Sequence, residues 1–210
     1  MKTAYVYPIS IDNKARYCAL HGCEVVVGGT VPECVGRSAR WNKVAWLRRS
    51  FFKYKWLVWM DLDALFARPD VSLTDLLDPA FDLHVTYDFG HGDGAGSSST
   101  FGSVPGGTPF AGGKINTGFF ALKTSSTWSF LFLEKVWAHN DFGQGRSDQA
   151  SINHVISLMS SEEKQRHIKV RARRLSFRFI FMPGFSARHP LAPLCVLIMP
   201  LVEVINLIPK

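Results

Sequence analysis

Apolar positions along this chain follow two different periods, and the switches between them mark out its elements. Residues 12 to 21 read as a short helix ended by Gly22, a residue favoured just past a helix C-terminus. Glu24 to Val27 then reads as a strand before the Gly28-Gly29 turn. From Arg40 to Tyr54, the positions Trp41, Val44, Ala45, Leu47, Phe51 and Phe52 recur at helical spacing. Trp56 to Met60 is a continuous apolar run, the pattern of a strand covered on both faces. Ser72 to Leu77 predicts a short helix with Ser72 as its N-cap and Asp75 in the capping-box position. Phe81 to Tyr87 and Ile115 to Leu122 predict strands, and Ser125 to His139 an aromatic-rich helix. Such alternation predicts an α/β fold, a mostly parallel sheet flanked by helices in a single domain over residues 1 to 189.

Two stretches break the pattern. Between Asp88 and Lys114, nine of 27 residues are glycine and Ser97 to Thr100 are all hydroxylic, so this is a long loop, either a linker or a substrate-covering flap. It contains no phosphate-loop pattern. Residues 190 to 210 are largely apolar but carry prolines, Glu203 and Asn206. A spanning helix needs about 20 uninterrupted apolar residues. The tail therefore stays open between a membrane-contacting segment, a packed tail and an artefactual or truncated terminus. The N-terminal residues hold no apolar run suited to a signal peptide or membrane anchor.

Composition narrows the function classes. With 16 Phe, 6 Trp and 5 Tyr in 210 residues, the chain can build a core large enough to carry an active site. The net charge of +7 suggests nucleic acid only until it is located. Lys164, Arg166, Lys169, Arg171, Arg173, Arg174 and Arg178 are 7 of the 24 cations, which leaves 17 against 17 acids elsewhere. The body is neutral, and a spread basic face for nucleic acid is not expected. The four cysteines, Cys18, Cys23, Cys34 and Cys195, form no CxxC pair, so a structural zinc site is not expected and the pairing stays open.

The sharpest chemical signal is the run Trp56-Leu57-Val58-Trp59-Met60-Asp61-Leu62-Asp63. A buried strand leads straight into two carboxylates, and ligands of open α/β sheets sit beyond the carboxyl ends of strands. Carboxylates two residues apart can share a hard cation such as Mg²⁺ or Mn²⁺, which can in turn hold a diphosphate. Dehalogenase-type phosphatases follow such a pair with Gly-Thr. Ala64 and Leu65 stand here instead, which weakens the phosphohydrolase reading.

Neighbouring motifs point elsewhere. Asn13-x-x-x-Tyr17-x-x-x-His21-Gly22, Trp41-x-Lys43, Asp61-Leu62-Asp63, Ile115-Asn116-Thr117-Gly118-Phe119-Phe120, Trp128-Ser129 and Ser147-Asp148-Gln149-Ala150 occur in this order. Over residues 10 to 158 the chain resembles the galactosyl- and mannosyltransferases of glycosyltransferase family 34, which have the GT-A fold. The resemblance implies a nucleotide-sugar donor (a UDP- or GDP-hexose), Mn²⁺ or Mg²⁺, a glycan or glycoprotein acceptor, retention of anomeric configuration and a Golgi location with membrane association. It implies that Asp63 ligates the metal and that Asp61 holds the ribose or the metal through water. Lys43 would reach the donor phosphates, Asn116 and Gly118 would shape the donor and acceptor pocket, and Asp148 and Gln149 would contact the transferring sugar. His189, in Met182 to Pro190, is the candidate third metal ligand. The family's nucleotide-binding strand would fall on Thr3 to Ile9, in shortened form. A degenerate sugar-nucleotide- or glycan-binding relative is the alternative.

Overall fold

A computed structural model describes residues 3–29, 31–88, 114–139, 148–171 and 202–206. The elements are α1 (Thr3–His21), β1 (Glu24–Gly28), α2 (Asn42–Ser50), β2 (Trp56–Met60), α3 (Leu73–Leu76), β3 (Leu83–Asp88), β4 (Lys114–Lys123), α4 (Thr127–Ala138), α5 (Asp148–Ser157), α6 (Ser161–His167), β5 (Ile168–Arg171) and β6 (Val202–Asn206). Short 3₁₀ turns at Ala39–Trp41 and Phe51–Lys53 flank α2, so the helical pattern read over 40 to 54 is tightened at both ends.

Among the described residues, six strands lie in the order β1-β6-β2-β4-β3-β5. β1, β2, β3 and β5 point the same way, as the α/β pattern predicts. The pairing does not follow the expected parallel sheet: β4 and β6 run opposite and sit between them, so β3 with β5 is the parallel pair and the other four pairs are antiparallel. Periodicity within a strand reports which faces are covered but not which strand lies alongside.

Both faces of the sheet are covered, which explains the unbroken apolar run of β2. Leu57 and Trp59 pack with Val44 and Leu47 of α2, Leu133 and Val136 of α4, and Ile152 and Val155 of α5. Val58 and Met60 pack on the other face with Tyr17 and Cys18 of α1 and with Leu73 of α3. Leu57, Val58 and Met60 are fully buried and Trp59 nearly so. Each such side chain contributes about 1.5–3 kcal/mol on leaving water. β4 alternates in the same way, with Phe120 and Leu122 on the first face and Phe119 and Ala121 on the second.

One sequence expectation changes, and two points that the sequence leaves open gain a structure. Thr3 to Ile9 is not a nucleotide-binding strand: it forms the opening turns of α1, with Pro8 inside the helix. Proline there removes one early helical hydrogen bond, and the packing of α1 from Ser10 onward outweighs that local cost. At the helix end, the open question of cysteine pairing resolves into a Cys18–Cys23 disulfide. Gly22 adopts a positive φ of 66° and the Cys23 N–H donates to the Cys18 carbonyl at 3.1 Å, the six-to-one bond of a Schellman cap. The side-chain contact that usually joins those two cap positions is here covalent. Val202–Asn206 of the apolar tail enters the sheet between β1 and β2. The rest of that tail, the Gly/Ser-rich loop across 89–113, His189 and the basic positions beyond Arg171 lie outside the described residues.

Candidate active site

The site assembles where β2 ends. Strand periodicity puts Leu57, Trp59 and Asp61 on one side of the sheet, the side that α2 and α5 cover. The Trp59 indole N–H donates to Asp61 Oδ1 at 2.6 Å, so the tryptophan is apolar core at its body and an anchor at its tip. The Asp61 backbone N–H donates to the Gly118 carbonyl at 2.7 Å, carrying the β2–β4 pairing one residue past the strand.

β4 is irregular at this level. Its pairing with β3 jumps from Val85↔Phe120 to Thr86↔Asn116, so Thr117, Gly118 and Phe119 have no partner on β3. Bulges of this kind re-aim groups beside sites. Here the bulge turns the Thr117 carbonyl toward Lys43, whose Nζ donates to it at 2.8 Å. The Asn116 side chain closes the bulge by accepting from the Gly118 N–H at 2.7 Å. A Cβ on Gly118 would stand 2.9 Å from Asn116 Oδ1 and 3.0 Å from Asp61 Oδ2, so any larger residue here would have to push both groups aside.

Lys43 is the hub. It lies in the first turn of α2, where a cation is disfavoured by the helix dipole, and its side chain is only 7% exposed. Two carboxylates offset both costs: Asp148 Oδ2 at 2.6 Å and Asp61 Oδ1 at 3.5 Å from Nζ. The Trp59 ring adds a cation–π contact at 4.9 Å. Asp148 opens α5, where a negative charge is favoured by the dipole, and is itself 5% exposed. The Thr117 hydroxyl bridges the two segments, within 3.4 Å of Asp148 Oδ2 and 3.3 Å of Gln149 Oε1. Asn153 ties α5 to β4 by accepting from the Ile115 N–H at 2.7 Å and donating to the Ile115 carbonyl at 2.9 Å, in the manner of an extra strand.

Asp61 and Asp63 flank a turn closed by the Ala64 N–H donating to the Asp61 carbonyl at 3.1 Å. Burial raises the Asp63 carboxyl above the usual range, and the charge of Asp61 adds to the rise, while Lys14 and Lys43 pull it back. Three aspartates (61, 63 and 148) against two lysines (14 and 43) leave one excess negative charge in this corner. A desolvated carboxylate beside a second one, with net negative charge, suits a hard cation. Among the described residues no group of three His, Cys, Asp or Glu side chains is placed to hold a metal, and Asp148 is engaged by Lys43.

The structure thus brings together Lys43, Asp61, Asp63, Asn116, Gly118, Asp148 and Gln149, residues spread over more than a hundred positions of sequence. His189 lies outside the described residues. Lys43 and Asp148 are buried within the assembly, and Asp61 is the more open, with a 41% exposed side chain. The sequence motifs do not mark Trp59 as an anchor, Thr117 as a bridge, Asn153 as a tie or Lys14 in any role. Trp59 shares the side-chain period of Asp61, and Asn153 follows Gln149 by one helical turn, but nothing local marks a hydroxyl as a bridge between distant segments.

The model of the galactosyl transferase GMA12/MNN10 family matches residues 2–84, the part that holds α1, Lys43, Asp61 and Asp63. That match supports a glycosyltransferase of family 34. No curated protein matches the chain. Among solved structures, a glycosyltransferase involved in the glycosylation of the major capsid of PBCV-1 is similar at 15% identity and a TM-score of 0.47, covering 82% of this chain and 77% of its own.

Proposed function

We propose that this chain is a metal-dependent hexosyltransferase of GT-A type, moving a hexose such as galactose or mannose from a UDP- or GDP-sugar to a glycan or glycoprotein acceptor with retention of configuration. The observation that carries this reading is the Lys43 ammonium held between Asp148 and Asp61 at the open end of β2, beside the desolvated Asp63. A transferase of this type must stabilise a leaving diphosphate and an electron-poor sugar carbon close together.

Asp61 and Asp63 are the residues that would hold Mn²⁺ or Mg²⁺. When bound, the ion supplies the positive charge that offsets the leaving diphosphate. Lys43 fixes the directions of both Asp61 and Asp148 and carries positive charge at the floor of the site. Asp148, held still by Lys43 and Thr117, places a carboxylate on the α5 side, where it favours positive charge developing on the sugar. Asn116 and Gln149 offer amide groups of fixed orientation, the first locked by the Gly118 N–H and the second beside Thr117, to read sugar hydroxyls.

The Cys18–Cys23 disulfide supports an oxidising compartment, in keeping with a Golgi lumen. No helix among the described residues is long and apolar enough to cross a membrane.

Thermal stability with Mn²⁺ plus UDP or GDP, and with EDTA as control, tests the reading. A ligand present at 100 times its dissociation constant stabilises by about 2.7 kcal/mol. The expected result is a rise with one nucleotide that EDTA removes, followed by hexose transfer from the matching donor and an anomeric proton spectrum showing retention. A folded protein that responds to neither nucleotide overturns the proposal.

A further inference from the structure

One polar face of α1 does more than cover the sheet. Asn13 Nδ2 donates to the Phe66 carbonyl at 3.1 Å and Asn13 Oδ1 accepts from the Phe66 N–H at 2.8 Å. The Tyr17 hydroxyl donates to the Val71 carbonyl at 2.9 Å and accepts from the Leu73 N–H at 2.7 Å. His21 Nε2 lies 2.6 Å from the Pro69 carbonyl. These positions recur every four residues, so one stripe of the helix grips the backbone of the segment that follows β2.

Lys14 completes the stripe and is its most unusual member. It is fully buried, and its Nζ donates to the Ser10 hydroxyl and, at 2.9 Å, to the Ala64 carbonyl. Ala64 is the residue whose N–H closes the turn from Asp61, so Lys14 holds the far end of the turn that carries Asp63. Burying an ammonium costs several kcal/mol unless it is well compensated. A methionine of similar length would satisfy packing alone, so a charge kept at this place calls for a role in the chemistry of its neighbours.

We propose that Lys14 is a positioning residue for the Asp61–Asp63 cation site, fixing the turn between them through the Ala64 carbonyl from beneath. It has no exposed surface with which to touch substrate, so its effect passes through the turn. The proposal rests on the metal-site reading above, and the experiment below separates the two.

Lys14→Met keeps the stem and removes the ammonium. Amide hydrogen exchange in the full chain is followed over residues 61–66, with β2 as internal reference. Exchange across 61–66 is expected to be at least about tenfold faster in the variant, with β2 unchanged and the melting temperature equal or higher. In parallel, Mn²⁺ alone is titrated by electron paramagnetic resonance. Its Kd is expected to rise by about tenfold, the usual scale for loss of a residue that orients a ligand. With the UDP- or GDP-hexose that proves active, KM for Mn²⁺ rises while kcat at saturating Mn²⁺ is kept. A bystander charge predicts the opposite sign, because removing a nearby cation tightens Mn²⁺ binding. Unchanged exchange over 61–66, or equal or tighter Mn²⁺ binding, overturns the role of Lys14. Wild-type protein that binds no Mn²⁺ refutes the metal-site reading instead, while the exchange comparison still decides whether Lys14 holds the turn. Should Lys14→Met not fold, Lys14→Gln gives the same readouts, since it too removes the charge.

Discussion

Lys43 Nζ lies 2.6 Å from Asp148 Oδ2, and the two side chains are 7% and 5% exposed. An ion pair this deep gives little net stability over an apolar pair, yet removing one partner strands the other. Lys43→Met is therefore expected to lower stability by about 3–5 kcal/mol. Adding Asp148→Asn to that variant should recover a large part of the loss. Urea denaturation of the two single variants and the double variant checks this. Additive losses would show that the two residues are not coupled.

Asp63 gives a pH-dependent expectation. Its folded carboxyl is raised, first by burial and then by Asp61, so ionising it costs the folded state more than the unfolded chain. The cost is absent below the unfolded value and grows as pH rises through the unfolded value to the raised folded one. Asp63→Asn should thus melt higher than wild type at pH 7 without metal, with the difference shrinking to nothing near the acid end of the titration. The same variant should lose its Mn²⁺-dependent nucleotide response. A set of melting curves from acid to neutral pH, with and without Mn²⁺, reads both effects.

Gly118→Ala places a methyl group against Asn116 Oδ1 and Asp61 Oδ2. Overpacking of this kind costs about 1–3 kcal/mol, and the strain falls on the carboxylate that the site needs. Transfer should therefore drop more steeply than stability. Gly29→Ala, where an added Cβ meets nothing within 4 Å, is the matched control and should leave transfer unchanged. Equal transfer rates in the two variants would remove the argument that Asp61 needs a glycine opposite it.

The disulfide at the end of α1 makes a separate prediction. Cys18→Ser with Cys23→Ser should lower stability by about 2 kcal/mol, at the lower end of the usual range because the closed loop is short. Reducing agent should have a matching effect on wild type and none on the double variant. Melting curves with and without dithiothreitol decide it, and a wild-type curve insensitive to reductant would mean that the bond is not part of the folded protein in solution.

What the sequence determined by itself was local. β2 falls where the apolar run placed it, from Trp56 to Met60, because a strand covered on both faces takes nearly all of its side chains out of water. Ser72 caps α3 by accepting from the Thr74 N–H, since an N-cap is a matter of neighbouring residues. The seven candidate residues within the described part fall in ordered short motifs, although the motifs do not say how they meet.

Tertiary structure decided the partners. Whether β2 lies beside a parallel or an antiparallel strand depends on where β4 and β6 return, and a two-residue side-chain period is the same in either case. Thr3 to Ile9 is helix, continuous with the part of α1 that is buried from Ser10 onward, and that packing outweighs an internal proline. Lys43 lies between Asp61 and Asp148, and Lys14 is buried beneath the turn of Asp63. A lysine looks the same in sequence on a solvated helix face and in a carboxylate pocket. Only the fold fixes how much water it keeps and which charges face it, and those two quantities set its chemistry.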